Sequence, residues 1–139
     1  MNNIIENFNK INSDISSLNP EKQVKIIAVS KTFPLEKVLP LLDYGHSHFG
    51  ENKVQEAVSK WTEIKRDKKH LKLHMIGKLQ SNKAKDAVKL FDYIHSLDNQ
   101  KLADTLLKHQ NNLQKKLKYF IQVNIGNEIQ KSGIPVNEL

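Results

Sequence analysis

The chain has 139 residues, with 22 Lys and Arg against 15 Asp and Glu and a formal net charge of +7. That length suits one domain, and 38% apolar residues can bury a core, so disorder and collagen-like composition are excluded. There is no cysteine, which excludes disulfide scaffolds, Cys-ligated zinc and thiol nucleophiles and leads to the expectation of a reducing, cytoplasmic setting.

Residues 1–18 place Ile4, Ile5, Phe8, Ile11, Ile15 and Leu18 at helical spacing, and Asn19-Pro20 stops that helix. Residues 24–29, VKIIAV, form a short β-branched run that predicts a buried strand. Pro34 then opens a helix carrying Leu35, Val38, Leu39 and Leu42, which ends near Gly45. His48-Phe49-Gly50 is short and ambiguous, whereas Val54, Ala57, Val58, Trp61 and Ile64 return to helical spacing. Residues 65–70 predict a charged loop and 71–76 a strand. Ser81 suits the cap of a helix running to about Leu90. Tyr93-Ile94-His95 is a fourth strand, Leu102, Leu106, Leu107 and Leu113 mark a helix, and residues 119–123 are a fifth strand. The final residues, 134–139, read as another helix opening, with Pro135 early in it and Asn137 as a cap. Strands alternating with helices of this length predict an α/β fold with a parallel sheet.

No apolar run reaches the roughly 20 residues that cross a bilayer, and the opening residues lack a signal-peptide apolar segment, so no membrane partner is expected. The basic stretches 65–72 and 115–118 carry no aromatic interleaving, so they read as solvated faces and no nucleic-acid partner is expected. The six histidines are dispersed, and no spaced set completes a zinc site. Neither G-x-S-x-G nor G-x-G-x-x-G occurs.

Three strand-to-helix junctions carry candidate chemistry. Lys31 follows the first strand directly, and residues at the carboxyl ends of parallel strands face the site in such folds. A lysine partly desolvated there has a lowered pKa and can condense with an aldehyde; the alternative is an ordinary solvent-facing lysine. Asn52, after His48-Phe49-Gly50-Glu51, either caps the next helix or points into a site. His74 lies in Leu73-His74-Met75-Ile76-Gly77 and is either a satisfied structural histidine or a site residue. The following Gly77-Lys78 is no P-loop, because the earlier glycine and the Ser or Thr are absent.

Taken in order, AVSKT at 28–32, HFGENKVQE at 48–56, HMIGKLQSNK at 74–83, HSLDNQKLA at 95–103 and VNIGNEIQKSG at 123–133 resemble the pyridoxal phosphate homeostasis proteins, the alanine racemase N-terminal-like group. The resemblance runs from about Val24 onward. It implies a (β/α)8 TIM-type barrel that carries pyridoxal 5′-phosphate as a Schiff base on Lys31, with Asn52 lining the cofactor site and His74 near it. It implies binding, buffering or delivery of the vitamin B6 cofactor without established enzymatic turnover.

The resemblance also has a departure. A (β/α)8 barrel usually takes about 250 residues, and only five strands are predicted here. The group's late Ser-Met-Gly-Met-Ser-type phosphate segment and the arginine beyond it have no counterpart. The expectation is therefore a single partial barrel domain over 1–139, with an N-terminal helix at 1–20 and β/α units over 24–139, shortened at its carboxyl end. It further implies weakened cofactor binding and self-association through an open barrel edge. A racemase-like enzyme would need a second acid/base residue that this sequence does not offer. A non-functional remnant of a shortened gene is the other alternative.

Overall fold

The computed structural model describes residues 3–129 and 131–139. Met1 and Asn2 of the expected first helix, and Gln130 of the last motif, lie outside them.

Short apolar runs become strands and amphipathic stretches become helices, in strict alternation. The order is α1 (Asn3–Leu18), β1 (Ala28–Val29), α2 (Leu35–Asp43), β2 (His48–Glu51), α3 (Val54–Asp67) and β3 (Lys72–Met75). A 3-10 turn at Ser81–Lys83 leads into α4 (Ala84–Leu90), followed by β4 (Tyr93–Leu97), α5 (Gln100–Leu113) and β5 (Lys118–Ile121). Strands β1 to β5 form one parallel sheet whose spatial order is their chain order. Parallel neighbours in chain order, joined by crossovers of the usual single hand, carry their intervening helices on one face, where α3 meets α4 and α4 meets α5. This is the TIM-barrel arrangement over five consecutive β/α units, an incomplete barrel; a doubly wound sheet would reverse direction part-way.

The core fills the space between sheet and helices. From the strands, Phe49, Leu73, Met75 and Ile94 are buried; from the helices, Ala57, Trp61, Ala84, Ala87, Val88, Leu102 and Leu106 meet them. Alternation along each strand sends the intervening residues, among them His48, His74, Tyr93 and His95, to the opposite face. Helix α1 packs only lightly. Its Ile4 and Phe8 are half-buried against the core, and Asn9 Nδ2 donates to the Tyr44 hydroxyl at 2.9 Å.

Several expected boundaries shift. The buried strand expected over 24–29 is a ladder only at Ala28–Val29, with Val24 49% and Val29 51% exposed. Strand β1 pairs on one side alone, through Ala28↔Phe49 and Val29↔Gly50, so propensity upstream finds no partner. The loop expected from 65 is instead the last turn of α3, where Lys65 and Arg66 favour the negative helix end. Ser81 caps nothing: it opens the 3-10 turn, and the turn's N-cap, Gln80, makes no side-chain bond. Leu107 and Leu113 stay exposed, leaving Leu102 and Leu106 as the buried face of α5. The fifth strand covers Lys118–Ile121, and the chain then enters a separate two-stranded sheet, β6 (Val123–Asn124) with β7 (Ile134–Pro135).

The helix expected at 134–139 is therefore strand β7 followed by a 3-10 turn, Val136–Glu138. Ile134 donates its N–H to the Gln122 carbonyl at 2.8 Å, which commits the segment to an extended start. Gly133, at φ +118°, lets the chain return so close that a Cβ would lie 2.7 Å from the Asn124 nitrogen. Among the described residues, no helix is long and apolar enough to cross a membrane.

Candidate functional site

The carboxyl ends of β1, β2 and β3 deliver Ser30-Lys31-Thr32, Asn52 and Ile76-Gly77-Lys78 to one end of the sheet. Parallel strands in register make this common edge. Of the two alternatives for Lys31, partly desolvated or solvent-facing, the structure shows the second: the residue is exposed. Among the described residues no carboxylate pairs with Lys31 Nζ, since the ion pairs are Lys10–Asp14, Lys60–Glu51, Lys65–Asp92 and Lys131–Glu128.

Beside Lys31 lies a buried polar cluster. Glu51 is fully buried on the helix-facing side of β2. Its Oε2 accepts from Ser30 Oγ at 2.5 Å, Lys60 Nζ at 2.9 Å and Trp61 Nε1 at 3.2 Å. Lys60 Nζ also donates to the Ser30 carbonyl at 2.5 Å. Three donors on one carboxylate oxygen offset part of the burial cost of the charge, while Oε1 is buried without a partner. On the far side of Lys31, the Thr32 N–H donates to Glu56 Oε1 at 2.8 Å. Thr32 itself adopts φ +66°, in the left-handed region that a β-branched residue rarely enters.

His74 is 4% exposed and both its ring nitrogens are occupied. Nε2 lies 2.9 Å from His48 Nδ1 and Nδ1 lies 2.9 Å from His95 Nε2, so three imidazoles run in file across β2, β3 and β4. Phe120 stacks on His95 at 4.6 Å. Burial is the main cause that holds all three rings below the ordinary imidazole pKa, and His74, with His95 and His48 beside it, is lowered to about 4. The file makes His74 a structural member of this face, with no nitrogen left for a ligand. Among the described residues, no group of three or more side chains is arranged to hold a metal ion.

Asn52 does not cap α3, whose N-cap is Lys53. Its Oδ1 is buried without a partner, and it lines a cleft of about 410 Å³ with Met75, Gly77, Lys78, Gln80 and Lys83. An orphaned acceptor beside lysines suits a ligand that brings its own donor and an anionic group. A larger cavity of about 630 Å³ lies at the other end of the sheet, around Leu71, Lys72 and Asp92 at the starts of β3 and β4. The strand-end position of Lys31 and Asn52 outweighs volume in locating the site. The structure thus brings Lys31 and Asn52 to one edge and keeps His74 inside the imidazole file.

Sequence reasoning missed Glu51, Glu56, Lys60 and the partners of His74. A signal existed for Glu51: alternation with buried Phe49 turns it toward the helices, where a carboxylate needs a cation, and Lys60 flanks Trp61 on the facing helix. The histidine contacts depend on strand register, which spacing does not reveal.

Comparison with known proteins places this geometry in context. The model of the alanine racemase N-terminal domain matches residues 1–139. The chain is 43% identical over 120 residues to the pyridoxal phosphate homeostasis protein of Pasteurella multocida, covering 86% of this chain and 52% of that one. It is 38% identical over 142 residues to that of Haemophilus influenzae, covering 99% of this chain and 60% of the relative. The structure of PipY from Synechococcus elongatus PCC7942 without PLP superposes with a TM-score of 0.79 at 39% identity, covering 90% of this chain and 59% of PipY. PipY with PLP bound gives 0.73 at 39% identity, covering 86% and 56%. The chain therefore spans between half and two thirds of these relatives' length.

Proposed function

We propose that this chain, which belongs to the family of the alanine racemase N-terminal domain, binds pyridoxal 5′-phosphate through Lys31 and serves vitamin B6 homeostasis. The observation that carries this reading is an exposed lysine without an ion-pair partner among the described residues, at the carboxyl end of β1 beside a buried polar cluster. Two similarities support it: relatives named pyridoxal phosphate homeostasis proteins, and the PipY structure with PLP bound. When bound, the cofactor would supply an aldehyde, and Lys31 would be the residue that holds it through its amine.

Lys31 is the amine in this reading, and its exposure leaves it open to a ligand. Asn52 Oδ1 is the acceptor for a donor on the ligand, and Lys78 and Lys83 on the same cleft suit a phosphate. His74 has no direct part. The role is binding and buffering, without turnover, in keeping with how the relatives are named.

Titration of the purified chain with pyridoxal phosphate, followed by absorbance, tests the reading. A spectral change is expected in the parent and absent in Lys31→Ala. The same change in Lys31→Ala would remove Lys31 from the site.

A further inference from the structure

We infer that Glu56 and Lys60 of α3 are positioning residues for Lys31, gripping the backbone on either side of it. The inference rests on the reading of Lys31 as the reactive amine and asks what aims it. A lysine has a flexible four-carbon stem, so its amine is aimed only if the backbone beneath it is fixed. In this chain the fixing is two-sided. Lys60 Nζ holds the Ser30 carbonyl at 2.5 Å, and Glu56 Oε1 holds the Thr32 N–H at 2.8 Å. Residues four apart on a helix share a face, so one rigid element supplies both grips.

Two further observations separate this from ordinary packing. Thr32 stands at φ +66°, a conformation unfavourable for a β-branched residue that persists only where its surroundings over-determine it. The Thr32 hydroxyl also donates to the Lys31 carbonyl at 2.6 Å, tying the strained residue to its neighbour. Secondly, the Lys60–Glu51 pair is buried, with side-chain exposures of 7% and 0%. Apolar residues of similar size generally stabilise a fold as well as such a pair does. What an apolar pair cannot do is grip the Ser30 carbonyl and Ser30 Oγ together, which this one does.

The test uses the full chain and two readouts. The first needs no cofactor: reductive methylation with formaldehyde and cyanoborohydride as hydride donor, with the rate at Lys31 read by mass spectrometry against exposed Lys53. The second is the pyridoxal phosphate titration. Glu56→Ala and Thr32→Gly are expected to move the Lys31 methylation rate toward that of Lys53, and to weaken cofactor affinity about fivefold, the worth of one hydrogen bond. Glu56→Gln, whose amide oxygen still accepts the Thr32 N–H, restores both. Thr32→Gly relieves strain, so its midpoint of thermal unfolding holds or rises while Lys31 is loosened; a merely structural role would move the two together. Methylation rates unchanged in Glu56→Ala and Thr32→Gly would overturn the inference. A parent chain without Lys31-dependent cofactor binding would instead overturn the functional reading, and the methylation rates would still decide the positioning role.

Discussion

Tyr93 lies flat on His74, with ring centroids 4.2 Å apart and planes 8° from parallel. The stack covers the middle ring of the histidine file and leaves its two nitrogens only His48 and His95 as partners. Each contact carries one hydrogen, so the neutral rings must adopt concerted tautomers along the file.

This arrangement makes stability depend on pH. Burial, then the neighbouring His95 and His48, lower His74 from 6.5 to about 4, with Asp92 opposing and Lys25 adding slightly. Between those values the unfolded chain binds more protons than the folded one, so folding loses stability as pH falls. The contribution is complete above pH 6.5 and gone once pH has fallen through about 4, a loss of up to about 3 kcal/mol. Urea unfolding at pH 7.5 and 5, with NMR of the ring resonances, checks this. A His74 ring charged at pH 6 in the folded chain would disprove it.

Glu51→Ala is expected to destabilise the chain by about 3–5 kcal/mol, because it strands the Lys60 charge in a buried site. Glu51→Ala combined with Lys60→Met removes both charges and should recover much of the loss. Denaturant midpoints of the two variants measure this, and equal loss in both would refute the pairing.

Gly77→Ala places a Cβ 2.4 Å from the Asn52 carbonyl oxygen and 2.8 Å from its Cα, a collision with backbone that no rotamer relieves. The expected cost is about 1–3 kcal/mol, together with displacement of Asn52 and weaker cofactor binding. Unaltered stability and unaltered titration would show that this junction yields.

Trp61 is the only tryptophan and is fully buried, so its fluorescence reports on the Glu51–Lys60 cluster. Its emission should be blue-shifted and poorly quenched by acrylamide in the folded chain. Trp61→Phe keeps most of the packing but removes the Nε1–H bond to the Glu51 carboxylate, with an expected loss of about 1.5–3 kcal/mol by urea unfolding.

The alternation of apolar runs with helical stripes was legible because burial imposes the period: Leu73 and Met75 alternate with outward neighbours, and Ala57, Trp61 and Ile64 recur by turns, whereas His48-Phe49-Gly50, too short to show a period, stayed ambiguous and is strand β2. Lys31 and Asn52 were legible as strand-end residues. The upstream half of the first strand was not, since Val24 has β-propensity but β1 has only β2 to pair with. Gly133 and Asn124 escaped notice because their approach is a tertiary closure across a loop. The histidine file was hidden for a related reason: His48, His74 and His95 meet only through the registers Gly50↔His74 and His74↔Tyr93.

Each strand of the main sheet pairs with the one about 20–25 residues behind it. During synthesis the sheet can therefore grow by one β/α unit at a time, each docking on the last edge to form. Every group that grips Lys31 falls between Ser30 and Trp61. The contacts that fix the backbone around Lys31 are therefore all encoded in residues that leave the ribosome before β3.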